Sequence, residues 1–271
     1  MKKNILEAGF LREFTRTCSN MYRLGWDERN GGNISYMLDE KEVGEYLDLS
    51  ASGRIIDAGF EAPTLVGKLF LITGTGRYFK NVELDPETNT GIVRILDGGK
   101  AEILWGYAGG GRPTSEFAAH LMSHAERLAK DPAHRIIMHC HATNTVAMTY
   151  VHSLDEREFT RTLWRMATEC MVVFPDGIGV LPWMVCGTNE IGRMTADKMR
   201  EFRLVVWANH GIFGAGTSLD EAFGLIETVE KAAQVYISVL GTPIINTISD
   251  KQLKELADAF HLVPKAGWLD L

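Results

Sequence analysis

Arg135-Ile136-Ile137-Met138-His139-Cys140-His141 is the stretch from which the rest of this chain can be read. A short apolar run ending in a polar motif is the pattern of a buried strand. Successive strand side chains point to opposite faces, so His139 and His141 converge on one side and Cys140 turns to the other. A second apolar run, Leu204 to Trp207, precedes Asn209-His210-Gly211 and supplies a third imidazole. Taken alone, the histidine pair is as readily the polar end of a strand; His210 shifts the balance toward a metal. Three imidazoles suit zinc and leave a fourth coordination position open, as in a metal that polarises a substrate rather than one that fastens a fold.

Outward from this strand, Ile5, Phe10, Phe14, Met21 and Leu24 recur roughly at helical spacing up to Gly25, where a polar turn, Asp27 to Asn33, takes over. Strands are expected over 34–38, 69–73, 91–96 and 103–107, and helices over 115–130, 143–151 and 156–168. A further strand is expected over 171–174. Ser218 and Glu221 have capping-box spacing and open a long helix to about 240, followed by a last helix over 250–259. The segment 39–67 carries no clear pattern. With no repeat, low-complexity tract or linker, one α/β domain spanning 1–271 is the economical expectation.

Composition narrows the function. The chain has 271 residues, 45% hydrophobic and 23% charged, which describes an ordinary globular protein. Its net charge of -7 argues against a nucleic-acid partner, so an anionic substrate needs local help. No apolar stretch is long enough to cross a bilayer, and no signal-like N-terminus precedes the first helix. Cys18, Cys140, Cys170 and Cys186 lack CxxC spacing and are read as reduced thiols of a cytoplasmic protein, Cys140 and Cys170 as buried packing residues.

Three polar segments can supply that help: Asn30-Gly31-Gly32-Asn33, Thr73-Gly74-Thr75-Gly76 and Thr114-Ser115-Glu116. Glycine lets backbone N–H groups approach a phosphate, and a helix start offers free N–H groups with partial positive charge. Each glycine pair is also explained by a simple turn, and neither has dinucleotide or Walker spacing. Glu116 lies four residues before His120 and eight before His124, so the three share one helix face. That face is a rival metal site, ranked below the first because it lacks HExxH.

Six stretches together carry a resemblance: GWDERNGGN (25–33), ITGTGRYF (72–79), PTSE (113–116), MHCHATN (138–144), VVFPDGIGVLPWMV (172–185) and NHGIFG (209–214). In this order they resemble the class II aldolase/adducin family, and the first and fifth resemble one ketose-phosphate-cleaving branch of it. The resemblance implies a three-layer α/β/α domain around a mixed, largely antiparallel sheet, assembled as a homotetramer with active sites near subunit boundaries. It implies one Zn2+ per subunit on His139, His141 and His210, and Glu116 as the catalytic carboxylate. It implies phosphate contacts at Gly32, Asn33, Thr75, Thr114 and Ser115, with Asn30 and Gly76 in the same loops. Thr75 replaces a common serine and keeps the hydroxyl. The implied substrate is a small sugar phosphate, cleaved between C3 and C4 to dihydroxyacetone phosphate and an aldehyde. Zinc would stabilise the enediolate and Glu116 would transfer its proton. A fuculose-phosphate aldolase or a 4-epimerase of the same family is the alternative. Glu169, in Thr168-Glu169-Cys170, is a candidate second carboxylate, set against the plainer reading of a solvated glutamate at a helix end. A metal-dependent hydrolase would need a further aspartate and an HxH near the chain start. An adducin-like scaffold would have lost the three ligands.

Overall fold

Side-chain alternation in the central strands sets the layering. The computed structural model describes residues 2–271. In the strand Ile136–Cys140, Ile136, Met138 and Cys140 join one apolar core while Ile137 joins another on the opposite face. The strand at Leu204–Trp207 divides likewise, Leu204 and Val206 against Val205 and Trp207. Strands buried on both faces read as unbroken apolar runs, which is why these two are so legible.

Nine strands form one sheet: β1 (Asn33–Leu38), β2 (Arg54–Asp57), β3 (Leu69–Thr73), β4 (Thr90–Ile95), β5 (Lys100–Gly106), β6 (Ile136–Cys140), β7 (Gly179–Leu181), β8 (Leu204–Trp207) and β9 (Gly211–Gly216). Their order is β2-β5-β4-β3-β1-β6-β9-β8-β7. Only β7 and β8 pair in parallel. One face packs against the helices Gly9–Arg23, Thr143–Val151, Glu156–Met166, Thr168–Val173, Leu219–Val239 and Asp250–Ala259. The other is covered by Phe117–Lys130 and Asn189–Met199, joined where the Arg127 guanidinium donates to the Met199 carbonyl at 3.1 Å. The result is the expected α/β/α arrangement around a mixed, largely antiparallel sheet. No helix among the described residues is long and apolar enough to cross a membrane.

Three local expectations are corrected. Residues 171–173 are helical, because the backbone breaks at Ala167 (φ -150°, ψ 129°) and restarts as the Thr168–Val173 helix, burying Cys170 and Met171. A short apolar run carries no period of its own, and the core decided this one. The unpatterned segment 39–67 holds the Asp39-capped helix Glu40–Gly44 and the mostly exposed edge strand β2. Ser218 makes half a capping box. Its Oγ accepts from Glu221 N at 3.1 Å, whereas Glu221 Oε2 reaches past it to accept from the Thr217 N–H and hydroxyl at 2.7 Å each. A reciprocal box sits at Ser249 and Gln252.

Two devices hold the central strand ends in place. Glu230, on the Leu219–Val239 helix, accepts from the N–H groups of Asn144 and Thr145 at 2.8 Å each, closing the start of the helix that follows His141. A buried carboxylate at a helix N-terminus satisfies donors that would otherwise be orphaned. An isolated bridge between Gly74 and Pro113, with Thr75 N donating to Arg112 O and Thr114 N to Thr73 O, ties two of the polar loops together.

Candidate active site

Register brings the candidate residues to one end of the sheet. Asn33 opens β1 directly opposite His139 near the end of β6, and His139 pairs with Phe213 of β9. His210 sits in the tight turn between β8 and β9, where Asn209 takes the left-handed conformation (φ 62°). Gly211 lies so close to β6 that a Cβ there would overlap the Cys140 carbonyl oxygen.

The three imidazoles form a near-equilateral set. Ring centroids lie 5.3 Å apart for His139 and His141, 5.1 Å for His139 and His210, and 5.0 Å for His141 and His210. One ligand nitrogen from each falls within 4.8 Å of the others. His139 stacks on Phe213 at 4.4 Å and donates from Nδ1 to the Ile212 carbonyl at 3.1 Å, so its buried Nε2 lone pair is left without a hydrogen-bond partner. A buried nitrogen with no partner, held in the ligating tautomer by its other ring nitrogen, fits a metal ion. Burial first, then the neighbouring histidines, holds His139 well below the ordinary imidazole value and His210 down to about 4. Both are therefore neutral and able to ligate near neutral pH.

Glu28, which sequence reading passed over as a turn residue, completes this arrangement. Its two oxygens lie 2.9 and 3.0 Å from His141 Nδ1, leaving His141 Nε2 to face the other rings. Orienting partners of this kind typically change metal affinity by 10- to 100-fold, and the Glu28 side chain is 68% exposed, which places it at the low end. Glu28→Gln is expected to weaken metal binding by about tenfold or less, read by competition against a chelator; unchanged affinity would make Glu28 a mere surface neighbour.

Glu116 sits beside this cluster, buried, its Oε2 3.8 Å from His139 Nε2 and accepting from Asn33 Nδ2 at 2.8 Å. Burial raises its proton affinity, opposed by the Asn33 hydrogen bond and the His141 charge. Asn30, Gly32, Asn33, Thr75, Gly76, Thr114 and Ser115 line the same cavity of about 170 Å³ with Glu116 and the three histidines. Among the described residues, no lysine or arginine lines it. The N–H groups of Gly32, Gly76 and Ser115 have no hydrogen-bond partner among the described residues. Gly32 (φ 73°) lies so close to Asp27 that a Cβ would overlap Asp27 Oδ1. Larger clefts lie elsewhere, one of about 560 Å³ beside Lys68 and Arg135 at the opposite end of β1 and β3, without converging ligands. Glu169 is exposed on the first turn of its helix and does not line the cavity. Cys140 and Cys170 are buried free thiols.

Unpaired amides, a triad of converging histidines and a buried carboxyl at one end of the sheet form a site whose donors suit a metal ion and an anion. Residues 12–237 match the class II aldolase and adducin N-terminal domain. The chain is 58% identical over 272 residues to a rhamnulose-1-phosphate aldolase of Listeria monocytogenes (serotype 4a, strain HCC23), covering 100% of both. It is 54% identical to one of Enterococcus faecalis, covering 98% of this chain and 96% of that protein. A sugar-phosphate aldolase from Thermotoga maritima superposes with a TM-score of 0.75 at 29% identity, covering 88% of this chain and 98% of that one. The chain belongs to the class II aldolase and adducin family, and is an aldolase.

Proposed function

We propose that this chain reversibly cleaves L-rhamnulose 1-phosphate to dihydroxyacetone phosphate and L-lactaldehyde, with one zinc ion held by His139, His141 and His210. The observation that carries this reading is the position of Glu116, a buried carboxyl with raised proton affinity 3.8 Å from the unpartnered Nε2 of His139. The full-length likeness to rhamnulose-1-phosphate aldolases supports the substrate. A homotetramer belongs to the same reading.

Bound there, zinc supplies electrophilic stabilisation of the negative charge that the keto fragment gains as C3–C4 breaks. The three imidazoles would hold the ion through one ring nitrogen each, and His139 and His141 are held in the ligating orientation by Ile212 O and Glu28. As C3–C4 breaks the C4 hydroxyl gives up its proton to become the aldehyde, and Glu116 delivers one to C3, leaving the cleavage proton-neutral overall; in the synthetic direction Glu116 removes the C3 proton. This requires a carboxyl within hydrogen-bond reach of that carbon and a proton affinity above that of a solvated glutamate. Gly32, Asn33, Thr75, Gly76, Thr114 and Ser115 hold the phosphate through N–H groups and hydroxyls, the helix start at Phe117 adding partial positive charge without a cationic side chain. Asn30 lines the same cavity.

The test is release of dihydroxyacetone phosphate from L-rhamnulose 1-phosphate and, in parallel, L-fuculose 1-phosphate, before and after zinc is removed and restored. Zinc-dependent release, faster from the rhamnulose ester, is the expected result. Faster release from the fuculose ester would move the substrate to the fuculose aldolase. Release from neither would overturn the aldol assignment in favour of an epimerase.

A further inference from the structure

Behind Glu116, and joined to it through Asn33 of the substrate cavity, runs a line of buried polar groups that the reaction itself does not use. Asn33 and Ser35 are two apart on β1 and so face the same side, toward the helix that carries His120 and His124 four residues apart. Two residues of strand advance about 6.8 Å and four residues of helix about 6 Å, so the two rows interleave. Asn33 Nδ2 is 2.8 Å from Glu116 Oε2, and Asn33 Oδ1 is hydrogen-bonded to His120 Nε2. His120 Nδ1 lies 2.6 Å from Ser35 Oγ, Ser35 Oγ lies 2.7 Å from His124 Nε2, and His124 Nδ1 lies 2.9 Å from His134 Nε2. All five of these residues are buried. Histidines 120 and 124, the rival metal site of the sequence, are thus spent on hydrogen bonds.

The direction of this chain is forced once the Asn33 amide is placed. Its Oδ1 accepts, so His120 Nε2 donates. A neutral imidazole has one donor and one acceptor, so His120 Nδ1 accepts from the Ser35 hydroxyl. Ser35 Oγ then accepts from His124 Nε2–H, and His124 Nδ1 from His134 Nε2–H. Burial keeps the rings neutral, lowering His120 and His134 to about 3 and His124 well below its ordinary value. Every link donates toward Glu116.

We propose that the chain His134–His124–Ser35–His120 is a positioning device that fixes the Asn33 amide, and through it the Glu116 carboxyl, in one orientation. It rests on the reading of Glu116 as the proton carrier. Its effect is to leave one oxygen of Glu116 bound to Asn33 and the other for the substrate carbon.

Turnover of L-rhamnulose 1-phosphate by zinc-loaded protein tests this with His120→Leu, His120→Gln and Glu116→Gln. His120→Leu is expected to lower kcat about 10- to 100-fold, with KM changed by less than about threefold and zinc content unchanged. His120→Gln places an amide N–H where imidazole Nε2 was and is expected to recover kcat to within about threefold of the original. Equal losses in the two variants, or a His120→Leu enzyme within about threefold of the original while Glu116→Gln is inactive, would overturn the positioning role. A fully active Glu116→Gln enzyme would instead overturn the assignment of Glu116. Imidazole nitrogen spectra of the unsubstituted, zinc-loaded protein read the same device without any change to the core. Histidines 120, 124 and 134 are expected to be neutral with the proton on Nε2 from about pH 6 to 8, and an Nδ1–H or charged His120 would overturn the proposal.

Discussion

Glu116→Gln is expected to lower turnover by about 10²- to 10⁴-fold, the usual contribution of a positioned proton donor, while the protein keeps its fold and its zinc. Glutamine has nearly the volume of glutamate and can still accept the Asn33 hydrogen bond at 2.8 Å, so packing around this buried position is conserved. None of the three imidazoles depends on Glu116 for its ligating tautomer: His139 is held by Ile212 O and His141 by Glu28. What the amide lacks is a transferable proton. The loss should therefore appear in bond cleavage and, separately, in the partial reaction with dihydroxyacetone phosphate alone, where exchange of a substrate C–H proton for deuterium from solvent needs no aldehyde. Measuring zinc content, cleavage and deuterium uptake on one sample separates the explanations. A variant that retains zinc and loses both activities supports the role; one that still exchanges deuterium at the original rate would show that another group moves the proton.

How much of this was legible in the sequence depended on what each residue needed. The convergence of the three histidines was readable because strand period and ligand spacing coincide at His139 and His141, and because a second buried strand ends beside His210. The polar loops were readable as loops, yet only the bridge between Gly74 and Pro113 and the pairing of Asn33 with His139 show that they share one cavity. Glu28 carried no usable signal, since its role exists only through a contact 113 residues away in the chain. The Glu116, His120 and His124 steps did carry a signal of a shared face, but their partners Asn33, Ser35 and His134 come from other elements, so hydrogen bonding could not be told from metal ligation. The 171–174 run was misread for the opposite reason: it is apolar throughout, and only the core facing Cys170 and Met171 chooses between strand and helix.

Acid should progressively destabilise the zinc-free protein as the pH falls below about 6.5. Histidines 120, 124 and 134 are neutral when folded, with His120 and His134 protonating only at about 3 and His124 also displaced downward, chiefly by burial. In the unfolded chain they protonate near 6.5. Above that pH neither state binds the protons and the rings contribute no pH dependence. Between about 6.5 and 3 the unfolded state binds more protons, so stability falls as pH falls. At pH 5 His120 and His134 each cost about 2 kcal/mol, and His124 adds to the loss in the same direction. Asp27 works the other way: its buried carboxyl has no hydrogen-bond partner, and desolvation followed by the Glu28 charge raises it well above its ordinary value. Charging it in the folded state is unfavourable at neutral pH, so acidification relieves part of the loss. The loss of about 4 kcal/mol from His120 and His134 together is a large part of a total near 5 to 15 kcal/mol. His139 and His210, also lowered, add to it in the same direction. Thermal melts of chelated protein between about pH 7 and 5 check this, and a melting temperature independent of pH there would mean that the interior histidines are already charged in the folded state. Zinc should raise the whole curve while steepening its acid side, because protons compete with the metal for the same nitrogens that the fold keeps neutral.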